Sequence, residues 1–352
     1  MFARTIKTSA VTIFCCIFLI ACQTVSVDTK KPNTKKEDDT QQKQATDYIV
    51  LNQYDDPWEN HWISHLKNIY RKTSLACGNI EKTPGFVVHL GDSITYAHHY
   101  GTVSRQGVSQ FSAIVDWSKS LGGRAAAADN KNGWQLASFD HPSGGRSYTA
   151  VSGITAHQYL YGGQGDFAGG FCDDQPLTTL LNNRTTKPSL LCPEQDKPPK
   201  VGVIRDSVIA IVLLGSNDIY QGRFPIDIYR DLKTVVQQLK QAHIMPVLST
   251  IPPRRELEFE VITTNQKIIR LAQEEKLPII GFWEEIIKRR PDLDWHGTLI
   301  SADGVHPTAG EYSDPSLDPD ILNRSGYTLR GYLTLLKIKE IKNKVIDIID
   351  PC

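Results

Sequence analysis

Four short apolar runs limit the fold of this chain more than any other feature: "FVVHL" (86–90), "SVIAIVLLG" (207–215), "IMPVLST" (244–250) and "LPIIGF" (277–282). Near-continuous apolar runs of this length are the pattern of strands buried on both faces. Between and after them, "PIDIYRDLKTVVQQLKQA", "EFEVITTNQKIIRLAQEEK" and "YTLRGYLTLLKIKEIKNKVIDII" read as amphipathic helices. Upstream, "ENHWISHLKNIYRK" puts Trp62, Leu66, Ile69 and Tyr70 on one helical face, a core stripe. Buried strands alternating with helices predict an α/β sandwich around a parallel sheet. Open sheets of this kind bind ligands outside the carboxyl ends of their strands.

Two regions fall outside that pattern. From about 95 to 150 the chain is rich in Gly, Ser and Ala without a sustained period, which predicts an insertion over the strand ends. "SYTAVSG" at its end offers one more short strand. The start of the chain carries Arg4 and Lys7, then the uncharged run Thr8 to Ala21, which falls short of the roughly 20 apolar residues of a spanning helix. A positive start, an apolar middle and small residues make residues 1–21 an export signal. Its end, "LIAC", resembles the lipobox of bacterial lipoproteins, which implies cleavage before Cys22 and lipidation of that thiol. Gln23 rather than Asp at the next position leans towards the outer membrane. Residues 22–47 are polar and charged with almost nothing to bury, as in a flexible tether.

In an oxidising envelope, Cys77, Cys172, Cys192 and Cys352 make two disulfides plausible, in any of three pairings. No Cys-x-x-Cys pair suggests a metal. Lys plus Arg and Asp plus Glu number 39 each, so no basic field exists to hold nucleic acid.

The strand ends carry the chemistry. "FVVHL" delivers "GDSIT", where Ser93 can cap a helix or, with amide groups nearby, act as a nucleophile. "AIVLLGSNDIY" also ends in a polar cluster, and the Asn217 amide there can cap a helix or point at an oxyanion. Near the other end, "SADGVHPTAG" sets Asp303 and His306 three apart on a Gly- and Pro-punctuated loop. That spacing lets the carboxylate fix the imidazole tautomer, so that the second ring nitrogen can take a hydroxyl proton. Arg254 and Arg255 in "IPPRRE" fall near a strand end, where they can meet an anionic sugar, although solvated side chains are the commoner outcome. His296 reads as a surface residue. His98 and His99 follow the nucleophile block too closely to supply the base and read at most as rim residues, and Trp134 and Tyr148 read as core residues or as platforms for a sugar ring.

Taken together, "GDSIT", "AVSGITA", "LLGSND" and "DGVHP" resemble, in order and context, the four blocks of the SGNH hydrolases, or GDSL esterases. The resemblance runs from about Phe86 to the C-terminus. It implies a flavodoxin-like three-layer α/β/α sandwich over 48–352, with Ser93 as nucleophile, His306 as general base and Asp303 orienting it. It also implies an oxyanion hole from the Ser93 and Gly153 amides and the Asn217 side chain, with no metal or organic cofactor. Gly144 and Gly145 offer an alternative to Gly153, whose 60-residue separation from Ser93 is long for the family.

The polar insertion favours an acylated glycan or small molecule over a long-chain lipid. A serine ester hydrolase of the cell envelope that removes O-acetyl groups from a carbohydrate is therefore the leading expectation. An O-acyltransferase with the same residues, a lipase or thioesterase, and a catalytically silent glycan-binding lipoprotein are the alternatives.

Overall fold

The computed structural model describes residues 58–82, 85–97, 150, 152–162, 177–182, 204–309 and 320–350. The signal, tether and lipidation positions, Cys172, Cys192, Cys352 and nearly all of the 95–150 insertion lie outside the described residues. Cys77 is disulfide-bonded.

After α1 (Glu59–Tyr70) the chain enters β1 (Val87–Gly91) and turns at once into the single-turn α2 (Ser93–Tyr96). Two short helices follow, α3 (Ala156–Tyr161) and α4 (Leu177–Asn182), and then β2 (Ile209–Leu213) and α5 (Ser216–Tyr220). The long α6 (Pro225–Gln241), β3 (Met245–Ser249), α7 (Glu258–Glu275), β4 (Ile279–Ile280) and α8 (Phe282–Arg289) complete the repeating part. Helices α9 (Ile321–Arg324) and α10 (Gly326–Ile341) close the described chain, and a π turn over Lys342–Ile346 extends the last of them.

The four strands are parallel in the order β1-β2-β3-β4, and Ala150 meets Gly91 in a parallel bridge on the far side of β1. The chain thus steps from β1 outwards to Ala150 and then back across to β2, which is the flavodoxin-like order. Every residue of the four strands is buried, as continuous apolar runs require. Helix α6 packs with α3, α4 and α7, whereas α8, α10 and the π turn form a separate group with α1. The stripe of α1 is fully used: Trp62, Leu66, Ile69 and Tyr70 are all buried.

Two local features show how the sequence tolerates this sheet. Pro246 lies inside β3, where a missing N–H is normally costly. Here Met245 donates to Val208 and Leu248 to Pro278, so alternate amides face opposite neighbours. The amide that Pro246 lacks would face β4, which pairs only with Leu248 and Ser249. Gly91 is fixed by close approach: a Cβ there would lie 2.1 Å from the Thr95 hydroxyl and 2.8 Å from the Leu213 carbonyl oxygen.

Candidate active site

The tight turn at Gly91 puts Asp92, not Ser93, at the cap of α2. The Asp92 Oδ1 accepts from the Ile94 amide at 3.0 Å, so the carboxylate does the capping that the serine was a candidate for. Ser93 is left at the first helical position with its hydroxyl free to turn elsewhere. Its Oγ lies 2.9 Å from His306 Nε2, across 213 residues of sequence.

The histidine is held from its other side. His306 Nδ1 lies 2.7 Å from Asp303 Oδ2, and Asp303 Oδ1 accepts from the Ser301 hydroxyl at 2.6 Å, the Val305 amide at 2.9 Å and the His306 amide at 3.0 Å. Burial acts to raise the Asp303 pKa, but these hydrogen bonds outweigh it and hold the carboxyl well below the usual range. An ionised Asp303 fixes the proton on Nδ1, so Nε2 presents a lone pair to Ser93. The His306 and Asp303 side chains are 41% and 48% exposed, so the relay opens to solvent on one side.

Three loops meet at this serine. Asn217, in the first turn of α5, donates through Nδ2 to Asp92 Oδ2 and to the Ile154 carbonyl, both at 3.2 Å. The next residue, Asp218, is fully buried and accepts from the Ala156 amide at 2.8 Å and from Arg223 at 2.5 Å. The stretch 152–156 is thereby tied to α5, and Gly153 enters it at φ +78°, a conformation that favours glycine. The Ser93 and Gly153 amides have no hydrogen-bond partner among the described residues. Gly144 and Gly145 lie outside the described residues, as do His98, His99, Trp134 and Tyr148.

Beneath the turn, the buried Arg330 of α10 donates to the Ile94 carbonyl at 2.7 Å and to the Thr95 hydroxyl at 2.8 Å. Burial pushes the Asp92 carboxyl up to about 6, against the Ile94 amide and the charges of Arg330 and His306. Arg330, Asp92 and Asp218 escaped the sequence reading. A lone arginine in the otherwise apolar "YTLRGYLTLL" was the one available signal.

Two expectations are corrected. Arg254 is 8% exposed and donates to the Ser216 carbonyl at 3.0 Å, rather than pointing into solvent. His296 is half-buried rather than fully exposed: it stands edge-on to Trp295, and its Nε2 is enclosed without a hydrogen-bond partner among the described residues.

Chemically, the arrangement offers a hydroxyl hydrogen-bonded to an oriented imidazole, with the serine's own amide unpaired among the described residues. That is the equipment of acyl transfer through a serine.

Comparison with known proteins agrees. The model of the GDSL-like Lipase/Acylhydrolase family matches residues 89–312, more than half of the chain. No curated protein sequence matches. Among solved structures, a GDSL-like lipase from Bacteroides thetaiotaomicron VPI-5482 is 14% identical at TM-score 0.40, covering 80% of this chain and 98% of its own. A member of the lipolytic protein G-D-S-L family from Veillonella parvula DSM 2008 is 14% identical at TM-score 0.37, covering 72% and 97%. An acetyl-xylooligosaccharide esterase from Geobacillus Stearmophilus, solved as a mutant, is 13% identical at TM-score 0.38, covering 74% and 95%. With its signature blocks inside the matched span, the chain belongs to the GDSL-like lipase/acylhydrolase family and is a hydrolase acting on ester bonds.

Proposed function

We propose that this esterase removes O-acetyl or other short acyl groups from a carbohydrate in the bacterial cell envelope. The observation that carries the reading is the continuous relay from Ser93 Oγ to His306 Nε2, and from His306 Nδ1 to Asp303. Ser93 attacks the ester carbonyl carbon while its proton passes to Nε2, and Asp303 stabilises the imidazolium that results. The tetrahedral oxyanion accepts from the Ser93 and Gly153 amides and from Asn217, which releases one of its two 3.2 Å bonds to do so. His306 then returns the proton to the departing alkoxide, and water cleaves the acyl-enzyme by the reverse relay. The preference for a short acyl group rests on the polar, glycine-rich composition of the 95–150 stretch.

A serine-directed phosphonate tests the nucleophile. It is expected to label the wild-type protein and not Ser93→Ala, and equal labelling of both would overturn the assignment. Turnover of p-nitrophenyl acetate is expected to exceed that of a long-chain analogue, and a strong long-chain preference would remove the deacetylase reading.

The anchor and redox setting belong to the same proposal. Cys22 carries the lipid, residues 22–47 hold the domain off the outer membrane, and Cys77, Cys172, Cys192 and Cys352 form two disulfides. Replacing Cys22 by Ser is expected to release the protein from membranes, and unchanged membrane association would refute lipidation there.

A further inference from the structure

Arg254 is a buried guanidinium placed between the two loops that serve Ser93, and among the described residues only its Nη1 has hydrogen-bond partners. Its backbone is fixed: Pro252 and Pro253 precede it, and Asn265 clamps Ile251 through both its amide and its carbonyl, at 2.8 and 2.9 Å. On one side Arg254 Nη1 donates to the Ser216 carbonyl at 3.0 Å and to the Ser216 hydroxyl at 3.3 Å, one residue before Asn217. On the other, the Arg255 amide donates to the Gly304 carbonyl at 2.9 Å, one residue after Asp303.

The guanidinium carbon lies 4.5 Å from the centroid of the Tyr220 ring, which is itself 64% exposed. That cation–π contact holds the guanidinium against the ring. Nε and Nη2 have no hydrogen-bond partner among the described residues, and Arg254 forms no ion pair there. Neither nitrogen is among the fully enclosed unpaired atoms, so both keep some access from outside. Burial opposes the charge, and Asp92, Tyr220 and Asp303 offset that only in part. A desolvated, preorganised fork with no anion of its own suits a planar carboxylate from outside.

We infer that Arg254 is the specificity residue for an anionic substrate: the alcohol portion of the ester is an acidic, uronate-type saccharide whose carboxylate binds the Nε/Nη2 edge. This rests on the carbohydrate-esterase reading and narrows its substrate class.

The test uses two sugars that differ only at this group, methyl 3-O-acetyl-β-D-glucuronide and methyl 3-O-acetyl-β-D-glucoside. The wild-type kcat/KM is expected to favour the glucuronide by about ten- to hundredfold, the value of charge-assisted hydrogen bonds. Arg254→Gln is expected to collapse that ratio, mainly through KM, and Arg254→Lys to restore only part of it. A wild-type ratio near one, or an equal loss on both sugars in Arg254→Gln, would overturn the proposal and leave Arg254 as a brace for the Asn217 loop. Binding of the same sugars to Ser93→Ala, measured by calorimetry, reads the subsite without turnover. Tighter glucuronide binding that Arg254→Gln abolishes supports it, and equal binding of the two sugars refutes it. Failure of the wild type to hydrolyse either sugar counts against the carbohydrate-esterase reading, and the calorimetry then decides the subsite by itself.

Discussion

Replacing Asp303 by Asn changes one atom and reverses one proton. In the native loop Oδ1 already accepts three hydrogen bonds, from the Ser301 hydroxyl and the Val305 and His306 amides, while Oδ2 alone faces His306 Nδ1 at 2.7 Å. The asparagine oxygen keeps the three-bond position, because an NH2 group there would meet two backbone donors. The amide NH2 is therefore directed at Nδ1, which can accept its hydrogen only by giving up its own proton. The imidazole moves that proton to Nε2, where it points at Ser93 Oγ and cannot receive the hydroxyl hydrogen. The expected loss in kcat is about 10⁴-fold, or roughly 5 kcal/mol of transition-state stabilisation, the scale of a wrong tautomer in a Ser-His-Asp relay. Folding should hardly change, since the loop keeps its three bonds and Asp303 is half exposed; less than about 1 kcal/mol is expected. Saturation kinetics with p-nitrophenyl acetate, paired with thermal melts, separate the two quantities. Activity within tenfold of wild type, or a loss of activity that tracks a loss of folding, would refute the tautomer reasoning.

Arg330→Met should be among the most damaging changes outside the relay. It strips the donors from the buried Ile94 carbonyl and Thr95 hydroxyl and removes the cation beneath Asp92. Urea unfolding should show a loss of about 3 to 5 kcal/mol, and a loss under 1 kcal/mol would contradict the structural role. Asp92 itself should impose a pH dependence. Its folded pKa is raised from 3.8 to about 6, so its contribution is fully present below pH 3.8 and is lost as pH rises through about 6. The stability of wild type relative to Asp92→Asn should fall by roughly 3 kcal/mol over that window, and a flat difference would show that the carboxyl titrates normally.

The strands were legible because each is buried on both faces and so carries almost no polar residue. Ile209–Leu213 and Met245–Ser249 sit inside the apolar runs that predicted them, and "LPIIGF" shrinks to Ile279–Ile280 because β4 pairs only with the end of β3. Ser93, Asn217, Asp303 and His306 were legible as chemistry because each follows a strand or sits on a punctuated loop, and the fold brings all four together. The identity of the cap was not legible, since Asp92 and Ser93 are both good capping residues and the choice depends on where the Gly91 turn aims them. Arg254 and Arg255 look alike in "IPPRRE". Only the tertiary approach of Ser216 and Tyr220 buries the first, while the second stays exposed.

The position of the crevice follows from topology. The chain leaves β1, bridges at Ala150 on one side, and returns to β2 on the other, so the loops after Ala150 and β2 diverge from the turn after β1. Divergence puts the crevice at the carboxyl end of β1, where the absence of a side chain at Gly91 lets α2 start against the sheet. A gap between three loops would also let them drift, and an oxyanion site needs donors fixed to within a fraction of an ångström. The protein closes it with polar ties rather than apolar packing: Asn217 to Asp92 and Ile154, Asp218 to Ala156, Arg330 to the first turn of α2. Those ties place ionisable groups in the core, and Asp92 bears the electrostatic cost in its raised pKa. The same residues that hold the hydroxyl in position therefore make the fold sensitive to pH, and activity and stability should respond together to changes at Asp92 and separately to changes at Asp303.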